Sequence, residues 1–368
     1  MRAHGRRAGV RPAGAGPPVC RHERGWFAAW WRDLVPARVD GGLAIGYHRW
    51  VADHADKPPA STTGTGGAAK PDAPKDARAM LAMARGFLEK KGVESARLEA
   101  ELLVAHALGL DRLHLFLELD RPVVPAEIDR ARDLLVRRGR REPAHYILGL
   151  REFHGRPFAI GRGALVPRPE TEHLVDRALE RAKERVRDGL GPVSKVLDMG
   201  TGSGCLATTL ALALPAARVV GVDSSPAALE WARRNARALA PEACDAGRLA
   251  LELGDMHAAL ASGAPWDLVV ANPPYIDERD KHTLAPEVRD WEPAEALFGP
   301  SGDPDRHALA ILEAAPRVLA RGGQCLVELG HDQAARLRPL FPRVEGIVAR
   351  VHKDLAGHER VLELSRPD

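Results

Sequence analysis

Lys195-Val196-Leu197-Asp198-Met199-Gly200-Thr201-Gly202-Ser203-Gly204 is the stretch that decides the fold. Its first half is a short apolar run of strand type and its second half a glycine-rich turn. The run Cys205-Leu206-Ala207-Thr208-Thr209-Leu210-Ala211-Leu212 behind it has helical character. Strand, glycine turn and helix form the opening of a nucleotide-binding α/β unit. Glycine is needed there because a Cβ would hold the backbone away from a ligand. The next strand, Arg218-Val219-Val220-Gly221-Val222-Asp223, ends in a carboxylate suited to the two hydroxyls of a ribose. Gly202-Ser203-Gly204-Cys205-Leu206-Ala207 also fits the looser dinucleotide fingerprint, which keeps a nicotinamide enzyme among the readings. Asp198 weighs against it, since a negative charge ahead of the glycines suits a cationic sulfonium better than a pyrophosphate.

Working outward from this unit, strands and helices alternate as a doubly wound parallel sheet requires. Strands are expected at 196–199, 219–222, 249–253, 268–271 and 324–329. Segments 346–353 and 359–364 are separated only by Leu355-Ala356-Gly357-His358, too short for a helix. They are therefore expected to close the sheet as an antiparallel hairpin. Gly322-Gly323-Gln324 reads as a turn leading into the fifth of these strands. Upstream, residues 77–141 alternate apolar and charged side chains at helical spacing, which predicts a small helical bundle. Leu98, Leu102, Ala105, His106 and Leu108 are expected on or near one face of a helix, with Glu99 and Glu101 elsewhere. Gly109 reads as its C-cap, Asp111 as the start of the next helix and Pro125 as the start of another. The basic run Arg137-Arg138-Gly139-Arg140-Arg141 reads as a nucleic-acid contact or, at least as well, as a solvated helix end or a surface for an acidic or ribosome-related partner.

The chemistry concentrates after Trp266-Asp267-Leu268-Val269-Val270-Ala271, a run that reads as a buried strand. Asn272-Pro273-Pro274-Tyr275 stands at its carboxyl end, where open α/β sheets place their sites. Two prolines stiffen the backbone and lack N–H donors, so they expose carbonyl acceptors. Asn272 adds a side-chain carbonyl. Rigid acceptors beside an aromatic ring suit the gripping of a planar NH₂ group.

Three further segments carry a resemblance. They are Glu142-Pro143-Ala144-His145-Tyr146-Ile147-Leu148-Gly149, Arg151-Glu152-Phe153 and Leu165-Val166-Pro167-Arg168-Pro169-Glu170-Thr171-Glu172. Together with Asn272-Pro273-Pro274-Tyr275-Ile276 and Val288-Arg289-Asp290-Trp291-Glu292-Pro293, they make the chain resemble the protein-(glutamine-N5) methyltransferases of peptide chain release factors. The likeness runs from about Ala77 to the C-terminus. It implies an S-adenosylmethionine-dependent methyltransferase fold: a mostly parallel seven-stranded sheet closed by an antiparallel hairpin, with a helical bundle before it. The implied organisation is a substrate-recognition bundle at 77–141, an interdomain segment at 142–192 and a catalytic domain at 193–368, after a low-complexity, flexible extension expected from composition at 1–76. It also implies S-adenosylmethionine held by Gly200, Thr201, Gly202, Ser203, Gly204, Asp223, Met256 and Asn272, with Phe153 covering it. Asn272, Pro273 and Tyr275 would be catalytic, and Pro274 would join them in contacting the glutamine. The implied partner is a release factor in the cytoplasm, with no nucleic acid bound directly, no membrane and no metal. A DNA or RNA base amino-methyltransferase uses the same tetrapeptide, and a cofactor-binding adaptor without turnover is a third reading.

Composition is consistent with this. Net charge +3 over 368 residues gives no global nucleic-acid footprint. Cys20, Cys205, Cys244 and Cys325 form no C-x-x-C pair, which argues against zinc and a disulfide framework. Cys205 reads as a small apolar residue of a buried helix rather than a nucleophile. No stretch is apolar enough to span a membrane. Residues 1–76 hold an Arg/Gly/Pro/Ala-rich start, a tryptophan-rich patch at 26–31 and a glycine-rich linker, and carry no counterpart in the family. His106 reads as a packing histidine, and no step requires His257 or His282.

Overall fold

A computed structural model describes residues 73–367, so the tryptophan-rich patch and the linker lie outside the described residues. The described chain opens with α1 (Ala77–Lys90), α2 (Ala96–Leu108), α3 (Arg112–Leu117), α4 (Pro125–Gly139) and α5 (Ala144–Leu148). Their ends follow from local chemistry. Asp76 accepts from the Ala79 N–H and Asp111 from the His114 N–H, each satisfying an orphan donor of a first turn. Gly109 ends α2 in the left-handed region, and Pro125 sits in the first turn of α4.

The expected faces of α2 need correction. Leu98 is exposed and Glu101 is buried. α2 packs against α1, α3, α4 and α5, so it is covered on most sides and carries little amphipathic signal. Glu101 is tolerated inside because Arg97 and Arg112 donate to its two oxygens at 3.1 and 2.6 Å.

The basic run also departs from expectation. Arg138 is only 1% exposed; it pairs with Glu99 and, at 2.8 Å, with Glu287, which lies far along the chain. Arg141 joins it on Glu287, and Arg137 grips both oxygens of Glu142 at 2.9 and 2.7 Å. Arg138 and Arg141 form an ionic joint with carboxylates brought by distant segments, while Arg137 and Arg140 stay exposed as a solvated helix end would.

A hairpin of β1 (Leu150–Phe153) and β2 (Arg156–Ala159) follows, turned through His154 and Gly155 at φ 49° and 70°. A 3₁₀ turn, Pro169–Thr171, leads into α6 (Glu172–Arg187). The main sheet then begins with β3 (Lys195–Met199), α7 (Cys205–Ala213), β4 (Arg218–Asp223), α8 (Pro226–Leu239), α9 (Pro241–Asp245) and β5 (Leu249–Leu253). α10 (Met256–Ser262), β6 (Trp266–Ala271), α11 (Pro286–Arg289), α12 (Ala294–Leu297) and α13 (Arg306–Val318) come next. β7 (Leu319–Glu328), α14 (Gln333–Leu337), β8 (Val348–Lys353) and β9 (Glu359–Ser365) complete it.

The seven strands lie in the order β5-β4-β3-β6-β7-β9-β8. All neighbours are parallel except β7 with β9 and β9 with β8, so the closing hairpin is antiparallel as expected. Central strands are buried on both faces, and their residues alternate between two cores. Val196, Leu268 and Val270 pack with Leu206 and Leu210 of α7 and Leu174 of α6. Leu197, Met199 and Val269 pack with Ile311 and Leu312 of α13. Gly322 and Gly323 fall in an irregular start of β7, where pairing to β6 jumps from Trp266 with Leu319 to Leu268 with Gln324. Gly322 is at φ 64°, which accounts for a glycine there without any role as a substrate. No helix among the described residues is long and apolar enough to cross a membrane.

The chain reverses direction across the sheet between β3 and β6. β4 and β5 lie on one side of β3, and β6 on the other. Parallel pairing sets Met199 beside Ala271, so the glycine turn after β3 and the Asn-Pro-Pro-Tyr segment after β6 emerge side by side. That crevice is where a doubly wound sheet binds its ligands.

Candidate active site

The glycine turn is held by the neighbouring strand tip. Gly200 and Thr201 both donate to the Val222 carbonyl at 2.9 Å. Gly202 N–H donates to one oxygen of Asp223 at 2.8 Å and Ser225 N–H to the other at 2.9 Å. The Asp223 carboxylate is thus fixed at the end of β4, half-buried and on the cavity wall. Asn235 of α8, fully buried, donates to the carbonyls of Ala159 and Ser203 at 3.0 and 2.8 Å and accepts from Ala159 N–H at 2.7 Å. One amide therefore ties the hairpin, α8 and the glycine turn together.

Asp198 is not placed to face a ligand. It is fully buried, and its Oδ2 accepts from Thr201 Oγ1 at 2.6 Å and from Ala207 N–H at 3.0 Å. Burial and the nearby Asp223 push its carboxyl up to about 7. Its work is to staple the turn to the first turn of α7, so the sulfonium argument made from its charge does not hold in that form. Burial likewise pushes the Cys205 thiol up to about 12, which keeps it an unreactive thiol.

Beyond β6, Asn272 Nδ2 donates to Thr171 Oγ1 at 3.0 Å. Thr171 Oγ1 in turn donates to Glu328 Oε2 at 2.7 Å, and the Tyr275 hydroxyl donates to Glu328 Oε1 at 3.2 Å. Glu328 ends β7 and is 1% exposed; burial raises its carboxyl above the ordinary range. The backbone after Tyr275 is pinned as well, with Ile276 N–H on the Leu297 carbonyl at 3.0 Å. Arg168 grips both oxygens of buried Glu292 at 2.8 Å, joining the Pro167-to-Glu172 segment to the same loop.

One cavity gathers most of the residues expected at the site. Gly200, Thr201, Gly202 and Ser203 line it, as do Asp223, Met256, Asn272 and Pro274. Gly204, Pro273, Tyr275 and Phe153 do not. Gly204 stands at φ 78°, and a Cβ there would lie 3.0 Å from Ala232 of α8, so it serves close packing of that helix. The Pro273 ring is buried. Tyr275 turns its ring along Gly330, where a Cβ would come within 3.0 Å of it, and its hydroxyl to Glu328. Phe153 is fully buried, edge-on to Phe158 in the core beneath the hairpin, so it does not cover the cavity.

Sequence reasoning missed Thr171 and Glu328 as members of the site, although Thr171 stands in the quoted Pro-Arg-Pro-Glu-Thr-Glu segment. It also missed His307, which lines the cavity and stacks on His257 with 2.8 Å between Nδ1 and Nε2. Burial and its neighbour His257 lower His307 to about 4, so the pair is neutral near pH 7. His282 is exposed, and His106 is half-buried in the bundle. Among the described residues no cluster of histidine, cysteine or carboxylate could hold a metal ion.

The cradle fits an extended nucleoside with an amino-acid arm. Gly200 and Gly202 stand at φ 72° and 56°. A Cβ on Gly200 would meet nothing nearer than Met256 Sδ at 3.9 Å, and one on Gly202 nothing nearer than 4.0 Å. The protein leaves that space open, and a side chain would fill it. Asp223 stands at its edge with both oxygens oriented by backbone donors.

Comparison with known proteins agrees. Residues 79–149 match the PrmC N-terminal domain, and residues 191–355 match a methyltransferase domain. The release factor glutamine methyltransferase of Geobacter sulfurreducens is 43% identical over 286 residues, covering 77% of this chain and 95% of that protein. The protein of the same name from Chlorobaculum tepidum is 42% identical, covering 69% of this chain and 85% of its own length. With likeness of that degree along nearly the whole length of its relatives, the chain belongs to the release factor glutamine methyltransferase family.

Proposed function

We propose that this enzyme methylates the side-chain amide nitrogen of the glutamine in the Gly-Gly-Gln loop of a peptide chain release factor. The observation that carries the reading is the register of β3 with β6, which opens the glycine turn and Asn272 into one cavity. When bound, S-adenosylmethionine supplies an electrophilic methyl group on sulfur, which the amide nitrogen displaces. An amide nitrogen is a poor nucleophile because its lone pair is delocalised into the carbonyl. Asn272 Oδ1 and the Pro273 carbonyl accept its two N–H hydrogens and fix its approach. These preset acceptors also stabilise positive charge as it develops on nitrogen, until one proton leaves for solvent. Gly200 to Ser203 line the methionine portion, Asp223 holds the ribose and Met256 flanks the adenine. Tyr275 contributes through Glu328, to which its hydroxyl donates.

The reading places the reaction in the cytoplasm with a protein substrate. The run at 137–141 contributes little basic surface to it, since carboxylates engage Arg137, Arg138 and Arg141 and leave Arg140 as its exposed cation. The deciding experiment is methyl transfer from labelled S-adenosylmethionine to unmethylated release factor, with a Gln→Ala variant of its Gly-Gly-Gln loop as control. Label is expected on the first and none on the second. Label appearing on RNA or DNA instead would move the enzyme to the base amino-methyltransferases, and binding without any transfer would make it an adaptor.

The cofactor assignment has its own test. Asp223→Ala should weaken S-adenosylmethionine binding by about tenfold or more, the scale of a lost hydrogen bond to a charged group. Calorimetry giving an unchanged dissociation constant would remove Asp223 from the ribose.

A further inference from the structure

We propose that Thr171 and Glu328 are positioning residues that set which way the Asn272 amide faces, and so make it an acceptor toward the reacting nitrogen. This rests on the role given to Asn272 above. A primary amide has two nearly superimposable ends, one that accepts and one that donates. Only the accepting end can hold a substrate N–H, so an amide free to flip would present its own NH₂ half of the time and repel the substrate.

The polarity of the chain removes that freedom. Glu328 receives two hydroxyls, one on each oxygen: Thr171 at 2.7 Å and Tyr275 at 3.2 Å. Burial raises the Glu328 carboxyl, but a hydroxyl donor on each oxygen and the nearby Arg360 favour the carboxylate, which accepts and cannot give. The Thr171 proton is thereby committed to Glu328, and the Thr171 oxygen has only lone pairs left for Asn272. Asn272 must meet it with Nδ2, as it does at 3.0 Å. Oδ1 then takes no hydrogen bond from any described residue and stays available at the cavity. Each member comes from a different element: the 3₁₀ turn Pro169–Thr171, the tip of β6 and the end of β7. A buried carboxylate at the far end is what gives the chain its direction, since a neutral acceptor–donor there could run it either way.

The test compares Thr171→Val, which keeps the shape and removes the hydroxyl, with Thr171→Ser, which keeps the hydroxyl. Turnover of release factor should fall about tenfold to a hundredfold in Thr171→Val, as when a supporting partner behind a reacting group is lost. The serine variant should stay within about threefold of wild type, and S-adenosylmethionine affinity should be unchanged in both. Glu328→Gln should lower turnover as well, and Thr171→Val combined with Asn272→Ala should be no slower than Asn272→Ala alone. In ¹⁵N-asparagine-labelled protein, the Asn272 side-chain NH₂ signals should shift in the valine variant and hold in the serine variant. Full turnover in Thr171→Val, equal losses in valine and serine variants, or losses that multiply with Asn272→Ala would overturn the proposal, and full turnover in Glu328→Gln would remove Glu328 from it. Wild-type protein that leaves release factor unlabelled would instead end the substrate reading, and the NH₂ signals would still decide the orientation.

Discussion

Asn272→Ala is expected to lower turnover by about a hundredfold or more while S-adenosylmethionine still binds. The size follows from what is lost. Removing one preset hydrogen-bonding partner from a water-poor site costs about 10²–10³ in turnover in comparable enzymes. The cofactor wall should survive, because Gly200, Thr201 and Gly202 are anchored to Val222 and Asp223 rather than to Asn272. Alanine also leaves the Thr171 oxygen without its donor. That loss bears on stability by about 1 kcal/mol and not on the cofactor. Single-turnover rates beside calorimetric cofactor binding separate the two effects. Near-normal turnover would sink the mechanism, and a matching loss of cofactor binding would turn Asn272 into a wall residue rather than an acceptor.

The second large effect concerns the joint between the bundle and the catalytic sheet. Arg138→Met should cost about 3–5 kcal/mol of stability, since removing one partner of a buried ion pair strands the others. Arg138 is 1% exposed and serves Glu99 and Glu287 together. Burial works against an ionised Glu287, yet its own backbone N–H, Arg138 and Arg141 hold its carboxyl below the ordinary range. Without Arg138 that balance shifts, and Glu99 loses the cation beside it. Glu287 lies in α11, between Tyr275 and Glu292, so the active-site loop should loosen with the joint. Chemical denaturation of the full chain measures the loss. A change under 1 kcal/mol would show that water reaches the pair and that the joint is superficial.

The parts of the fold that sequence made legible are those governed by short-range rules. β3, the glycine turn and α7 are readable because strand period, positive φ and helix start follow one another within a few residues. The closing hairpin was readable from a gap too short for a helix. The site was legible where a motif touches the cavity directly, as Asn272, Asp223 and Gly200 to Ser203 do. It was illegible where the site is built by pairing across the chain. Thr171 and Glu328 stand 157 residues apart, and no periodicity links them. Glu101 and Arg138 show the same limit in the bundle: charge predicts exposure until a distant counter-charge arrives to cover it. Gly204 was read with the ligand-facing glycines, but its reason is the close approach of α8, a contact that local sequence does not report.

The order of strands has a practical corollary. β3, β4 and β5 are consecutive along the chain, whereas β6 comes back past them to flank β3. A break in the connection between α10 and β6 would therefore part the polypeptide into two pieces with different equipment. The first would keep the proposed cradle of the methyl donor, with Gly200 to Ser203 and Asp223. The second would keep Asn272, Glu328 and the closing hairpin. Neither piece could bring methyl donor and amide acceptor together, and rejoining β3 to β6 along the Met199–Ala271 register would restore both at once. The sheet is thus a natural site for a split enzyme, whose signal would report reassembly of two fragments rather than the presence of either.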